Sequence, residues 1–360
     1  MAGQGNNRVL AIATPSLGRL SETFIRAQIE ALNPGLVLHG GFLPTRAGEL
    51  SVQECAGLPA DTPVRDALVG CLKKLDIRCV LAQFGPTGAE MLEACREAGI
   101  ELLIHFHGYD ASRTDVLNHY QDKYRLMFAY AKRIFVVSLE MEQDLIRLGC
   151  PPDKLLYNPY GVSDRFYAVI PQSDSRTFCF IGRFVEKKGP VLLVRAFQKV
   201  CQNYPLVKLV MAGEGPLLKA CRDLAIQFNL TGNIFFPGSL SHEMVPALMQ
   251  KAFAYVQHSV TSADGDKEGT PVAILEASAA SLPIVATRHA GIPDAVEDQV
   301  TGLLVEEGDV DAMCNAMLRL LENRSFAATL GLEGRSKMRR EFSMDKYITR
   351  ISASIDSTVS

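Results

Sequence analysis

Glu268 and Glu276 are two carboxylates separated by seven residues in Lys267-Glu-Gly-Thr-Pro-Val-Ala-Ile-Leu-Glu276. Thr270 is a good N-cap and Pro271 suits the first helical position, where a missing N–H costs nothing, so the spacing predicts a helix over 271–280. Glu268 then lies on the loop before that helix, loosened by Gly269, and Glu276 projects from its second turn. The unpaired amides of the first turn form an anion site, and carboxylates accept hydrogen bonds from hydroxyls. A polyol attached to a phosphate needs both groups, which points to a nucleotide sugar. The plainer alternative is two solvated glutamates favoured by the helix dipole.

Charge of the opposite sign sits in Phe178-Cys-Phe-Ile-Gly182-Arg183-Phe-Val-Glu-Lys187-Lys188-Gly189. This reads as a strand that ends at Gly182 and returns through Lys-Gly into a helix. Arg183 offers a planar fork and Lys188 a point charge, and hydrogen bonds to charged groups are worth roughly 1.5–3 kcal/mol each, so the pair suits a diphosphate without a metal. Gly213 and Gly215, in Ala212-Gly-Glu-Gly-Pro-Leu217, resemble the start of a dinucleotide fingerprint, but Leu218 stands where its third glycine belongs. They bring backbone near a nucleotide or form a purely structural turn. Phe236, in Phe236-Pro-Gly238, lays an aromatic face beside a base or ends a core strand. His107, in His105-Phe-His107-Gly108-Tyr-Asp110, falls just beyond an apolar strand, with Gly108 allowing a sharp turn. It suits sugar hydroxyls or developing charge, with Asp110 placed to orient it or to contact an acceptor. Gly18, after the first strand, faces a phosphate or belongs to an ordinary loop capped by Ser21.

The elements that must carry these residues alternate. Strands are expected at 9–13, 37–42, 79–83, 102–106 and 134–137, then at 177–181, 207–212, 234–236, 254–257, 284–287 and 303–305. Helices fall between them, and the strand runs lack period-two alternation, as strands buried on both faces do. Strand-helix alternation twice over implies two doubly wound, Rossmann-like α/β domains whose strand ends face a cleft. The polar stretch 168–176 marks the boundary, giving domains 1–168 and 169–341 and a tail, 342–360, that crosses back to the first domain.

Composition narrows the partners. Of 360 residues 48% are hydrophobic, and net charge is −3; residues 1–168 carry 17 Lys/Arg against 19 Asp/Glu, and 169–360 carry 20 against 21. Neither half is basic enough for nucleic acid. The short basic runs at 132–133 and 337–340 suit helix ends or a weak peripheral membrane contact. Nine scattered cysteines without a Cys-x-x-Cys pair imply a reduced, cytoplasmic chain with no zinc or disulfide framework. No signal peptide or membrane span is expected, and no cofactor or metal.

Gly182-Arg183…Lys188-Gly189, Glu268-x7-Glu276, His107-Gly-x-Asp110 and Asn158-Pro-Tyr-Gly161-Val162 together resemble the retaining GT-B glycosyltransferases of family 4. The likeness is closest to bacterial exopolysaccharide enzymes of the colanic acid type. The resemblance implies that Arg183 and Lys188 bind the donor diphosphate, Glu276 the ribose, Glu268 the transferred sugar's hydroxyls, and His107 the donor-sugar side of the reaction centre. Gly182, Gly213, Gly215, Phe236, Gly269, Thr270 and Pro271 would complete the donor site, with Gly18 and Asp110 on the acceptor side. It implies front-face attack with retention, so Glu268 is not a double-displacement nucleophile. The chain departs from the family at its first loop, where Gly18 stands without a second glycine, at Met344, where an aromatic residue is expected, and at His258, where proline is common.

The implied activity is transfer of a hexose from a UDP- or GDP-sugar to a saccharide or lipid-linked saccharide. A GT-B nucleotide-sugar epimerase and a catalytically silent nucleotide-sugar-binding protein are the alternatives.

Overall fold

Uninterrupted Val, Ile, Leu and Ala runs demand cover on both faces, and they form the middle of two sheets. The computed structural model of the chain describes residues 8–17, 22–172 and 174–359. They make two compact units, Met1–Pro159 with Asp345–Ser360, and Tyr160–Met344.

In the first unit β1 (Leu10–Ala13), β2 (Leu36–His39), β3 (Arg46–Ala47), β4 (Leu50–Ser51), β5 (Cys79–Gln83), β6 (Glu101–His105), β7 (Arg133–Val136) and β8 (Leu155–Tyr157) form one sheet. Its order is β4-β3-β2-β1-β5-β6-β7-β8. In that order the strands from β2 to β8 run parallel, and β3 and β4 join the edge by antiparallel pairing, each to its neighbour. β5 is buried at every position, and Gln83 at its end pairs with His105 at the end of β6.

Residues 43–78 show no periodicity that predicts an element, yet they carry β3, β4 and the helices Val52–Ala56 and Val64–Lys74. Ser51 and Glu54 start the first helix as a capping box. Packing of these helices brings Cys55 and Cys71 to a Cα separation of 5.4 Å, where they form a disulfide. The expectation of a chain without disulfides is therefore corrected. The two cysteines lie 16 positions apart and meet only through helix packing, which spacing alone does not reveal.

The second unit holds β9 (Thr177–Ile181), β10 (Lys208–Ala212), β11 (Ile234–Gly238), β12 (Ala254–Gln257), β13 (Ile284–Thr287) and β14 (Gly302–Val305) in the order β11-β10-β9-β12-β13-β14. All neighbours are parallel. This is the doubly wound order 3-2-1-4-5-6, in which the loops after β9 and β12 flank the point where the winding reverses and ligands bind. Phe178, Phe180, Phe184 and Phe197 fill the core beneath those loops. The helix Val310–Glu322 packs on Pro190–Asn203 over the same sheet and is capped by Asp309, which accepts from the Ala312 amide at 2.8 Å.

One helix start differs from expectation. The helix after Glu268 runs Val272–Ala279, with Pro271 at the N-cap and no side-chain cap bond, so Thr270 does not cap it. Pro271 is itself extended, with ψ of 110°, and a residue before proline is pushed out of helical space, which places Thr270 one position too early. Residues 344–359 form a helix, Met344–Val359, with Tyr347, Ile351 and Ile355 buried at four-residue spacing. Among the described residues no helix is long and apolar enough to cross a membrane.

Candidate functional site

The loop after β9 is fixed before it meets any ligand. The Gly182 amide donates to the Ala212 carbonyl and the Phe184 amide to the Glu214 carbonyl, at 3.0 and 2.8 Å. Gly213 and Gly215 adopt φ of +136° and +151°. A Cβ on Gly213 would lie 1.9 Å from the Gly182 oxygen, and one on Gly215 2.6 Å from the Phe184 oxygen. Close approach of the two loops thus requires both glycines. Arg183, between Gly182 and Phe184, is exposed.

Beyond Arg183 the turn Glu186–Lys188 aims two adjacent lysines at one facing loop. Lys187 is buried and donates to Asp266 Oδ1 at 2.8 Å and to the Lys267 carbonyl at 3.1 Å. Lys188 Nζ lies 3.1 Å from Glu268 Oε1. That oxygen has no partner of good hydrogen-bond angle, so the contact is an ion pair rather than a directed bond. Burial pushes the Glu268 carboxyl up, but the charges of Lys188 and Lys187 outweigh it and hold the group below the usual carboxylate range. Burial also lowers Lys188, and Glu268 offsets this only in part.

His289 clamps the Glu268 loop from behind. The Glu268 amide donates to His289 Nε2 at 3.1 Å, so the ring proton sits on Nδ1, which donates to Glu307 Oε1 at 2.6 Å. Glu307 also accepts from the Thr261 amide at 2.7 Å, and the Gly291 amide donates to the Gly269 carbonyl at 3.0 Å. Lys187, Asp266, His289 and Glu307 were absent from the residues singled out by sequence. The only sequence signals were the doubled lysine and an aspartate two positions before Glu268.

Glu276 is treated differently. It is the one charged residue of the apolar helix Val272–Ala279. Burial pushes its carboxyl up to about 8, against the pull of Arg165. The titratable ring of His242 lies beside it, with Nδ1 3.8 Å from Oε1. Arg165 keeps Nε and Nη2 buried without partners. Tyr255, in β12, lies within reach of both carboxylates, which add to the effect of burial in raising its hydroxyl. The unit therefore gathers Gly182, Arg183, Lys188, Gly213, Gly215, Glu268, Gly269, Thr270, Pro271 and Glu276 around the strand ends. Phe236 sits on the edge strand β11, its ring 6.2 Å from Phe184 and under Arg222 at 5.9 Å, packed against the core.

In the first unit His107 follows β6, buried between Phe24 and Phe84 at ring distances of 4.5 and 4.6 Å. Its Nε2 lies 2.9 Å from Gln83 Oε1. Burial first, and then the neighbouring His105, hold the ring well below ordinary histidine, so it is neutral. Gly108 turns the chain with φ of 151° and ψ of −92°, a region that side chains rarely enter. Asp110 is fully buried and accepts from the amides of Gly85, His107 and Gly108 at 2.9, 3.0 and 2.8 Å. Burial lifts its carboxyl to about 6 although these amides lower it. Both oxygens are thus engaged in holding the His107 turn. Phe84, at φ of 71°, is a strained residue beside His107 that sequence gave no reason to expect. Gly18 and Ser21 lie outside the described residues.

Two doubly wound sheets, with a cation pair and two unlike carboxylates at the winding switch of the second, are the architecture of the GT-B fold. The chain matches the family described as glycosyl transferases group 1 over residues 166–337 and glycosyltransferase family 4 over residues 53–166. It belongs to these families and is related to bacterial exopolysaccharide glycosyltransferases. WcaL of Escherichia coli strain K12, whose name assigns it to colanic acid biosynthesis, is 32% identical over 243 residues, covering 66% of this chain and 60% of WcaL. The amylovoran biosynthesis glycosyltransferase AmsK of Erwinia amylovora is 29% identical over 268 residues, covering 73% of this chain and 66% of AmsK. The chain spans about 60% of the length of the colanic acid relatives it matches. Anabaena Alr3699/HepE, solved with UDP, superposes with a TM-score of 0.78 at 16% identity, covering 97% of this chain and 99% of that one. At that identity the likeness concerns the fold.

Proposed function

We propose that the chain is a retaining, metal-independent glycosyltransferase that moves a hexose from a UDP- or GDP-sugar to a saccharide or lipid-linked saccharide in exopolysaccharide or related glycan assembly. The observation that carries this reading is the pair of buried carboxylates kept in unlike states, Glu268 against Lys188 at 3.1 Å and Glu276 raised by burial beside the His242 ring at 3.8 Å. Exposed Arg183 and fixed Lys188 supply the positive charge that a leaving diphosphate needs. Glu268 grips hydroxyls of the transferred sugar, and Glu276 accepts from the ribose diol. His107, neutral and held from behind, serves the donor sugar as a hydrogen-bonding group rather than as a charged acid. The UDP bound to HepE supports a nucleotide donor.

Seven free cysteines favour the cytoplasm, with at most peripheral contact at the inner face of a membrane, and the Cys55–Cys71 bond is the feature that opposes it. Incubation with radiolabelled UDP- and GDP-hexoses, with and without saccharide and lipid-linked acceptors, tests the activity. Transfer supports it, sugar interconversion indicates an epimerase, and binding without turnover indicates a silent binding protein. Glu268→Ala and Lys188→Ala must each abolish transfer; unchanged turnover in both would sink the site assignment.

A further inference from the structure

The loop that carries Glu268 leaves the end of β12 and returns to the helix Val272–Ala279, and both its ends are tied to one carboxylate. Glu307 Oε2 accepts from the Thr261 amide at 2.7 Å, and Glu307 Oε1 accepts from His289 Nδ1 at 2.6 Å. His289 Nε2 in turn accepts from the Glu268 amide at 3.1 Å. His289 is 1% exposed, in a place where an apolar side chain would cost no desolvation. All of these residues belong to the second unit.

Chemistry fixes the direction of every bond in this series. A backbone amide only donates, so His289 Nε2 must carry the lone pair and Nδ1 the proton. An ionised Glu307 only accepts. Burial pushes its carboxyl up, but the Thr261 amide and the His289 ring outweigh it and hold the group below the usual carboxylate range. Reversal would set a ring N–H against the Glu268 amide and a ring lone pair against a carboxylate, two repulsive contacts in place of two bonds. The turn that bears Glu307 is itself anchored. The Gly308 amide donates to Nε2 of the buried His258 at 3.0 Å, and Asp309 caps the helix that follows. Lys187 holds the middle of the loop through Asp266 Oδ1 and the Lys267 carbonyl, at 2.8 and 3.1 Å. The Glu268 side chain takes no part in this clamp and meets Lys188 instead.

We propose that His289 and Glu307 are positioning residues that set the Glu268 backbone for the sugar half of the donor, so that their contribution appears in binding of the nucleotide sugar and not of the bare nucleotide. The inference rests on the reading of Glu268 as the grip on the transferred sugar's hydroxyls. Both residues act through Glu268.

Two measurements on the full chain test it, one of the clamp and one of its effect. Amide hydrogen exchange at Glu268, read by mass spectrometry over short overlapping peptides, should speed up at least about tenfold in His289→Asn, whose shorter side chain does not reach the amide, and in Glu307→Ala. His289→Gln, whose carbonyl falls near the place of Nε2, should keep exchange within about threefold of the wild type. Calorimetric titration then compares UDP-glucose with UDP and GDP-mannose with GDP. His289→Asn should weaken the nucleotide sugar about tenfold, the size of one hydrogen bond to a charged group, and the bare nucleotide by less than about twofold. Glu307→Ala should show the same split, the two losses should not add in the double variant, and His289→Gln should restore most of the affinity. A merely structural role would weaken both ligands alike. Equal weakening overturns the inference, as does unchanged exchange at Glu268 in both His289→Asn and Glu307→Ala. Where His289→Asn does not fold, Glu307→Ala, at a side chain 34% exposed, reads the same split. Glu268→Ala keeps the two readings apart. Fast exchange in His289→Asn, with the ratio of the two affinities unchanged in Glu268→Ala, defeats the reading of Glu268 alone; unchanged exchange, with that ratio altered in Glu268→Ala, defeats the clamp alone.

Discussion

Glu276→Gln should raise the stability of the free protein and weaken donor binding, opposite signs from one substitution. Burial pushes the Glu276 carboxyl up to about 8, whereas the ordinary value is 4.5. As pH rises through the interval between those values, the unfolded chain ionises first and the folded state loses stability relative to it. At pH 7 the loss is up to about 3 kcal/mol, from roughly 1.4 kcal/mol per pH unit. Glutamine keeps the shape without the titration, so its chemical midpoint should exceed that of the wild type at pH 7–8 and match it near pH 4. Binding runs the other way. A ribose diol donates to an ionised carboxylate, and a group with that titration is about 1% ionised at pH 6 and about half ionised at pH 8. Affinity for UDP-glucose or GDP-mannose, whose phosphates do not titrate there, should therefore rise about 50-fold from pH 6 to pH 8 and level off above it. Isothermal calorimetry across pH 6–9 reads this directly. His242→Asn, which removes the titratable ring 3.8 Å away, should leave the slope in place. A flat wild-type profile, or the same slope in Glu276→Gln, would refute the assignment of Glu276 to a hydroxyl-accepting role.

Gly213→Ala places a Cβ 1.9 Å from the Gly182 oxygen and should cost about 3 kcal/mol or more in urea unfolding, while Gly232→Ala, with open space around it, should change stability by under about 0.5 kcal/mol. Asp110→Ala leaves the amides of Gly85, His107 and Gly108 without their acceptor; at about 1 kcal/mol or more for each, a loss of at least about 3 kcal/mol in the same assay is expected. Cys55→Ser with Cys71→Ser opens a loop of 16-residue separation and should lower stability by about 3 kcal/mol, and thiol titration of the unfolded wild type should gain two groups on reduction.

The parallel strands were legible because a strand covered on both faces writes its burial into consecutive residues, as in Cys79–Gln83 and Ile284–Thr287. Residue type gives the cap only where the contact is local. Asp309 and Asn323 cap as their types suggest, but Thr270 does not, because Pro271 remains extended. The segment 43–78 was opaque. Its helices are short and amphipathic against each other, so neither their periodicity nor the pairing of Cys55 with Cys71 shows in a linear reading.

Within the site, sequence pointed to residues whose chemistry is their own, and passed over those defined by what they touch. His289 is recognisable only because its Nε2 receives the Glu268 amide and its Nδ1 finds Glu307. The lysine pair shows why such contacts stay hidden. In a 3₁₀ turn adjacent side chains point about 120° apart, so one step along the chain decides whether a lysine meets Asp266 or Glu268. Both lysines have the same charge and stand side by side in the sequence. Lys187 is buried against Asp266 and a backbone carbonyl, which leaves its charge no direction but inward. Lys188, 13% exposed, keeps a face toward the strand ends. A charge already committed to a carboxylate and a carbonyl braces the loop, and a charge with an exposed face can be shared with an anion. The division of labour between the two lysines is thus set by the handedness and pitch of one turn.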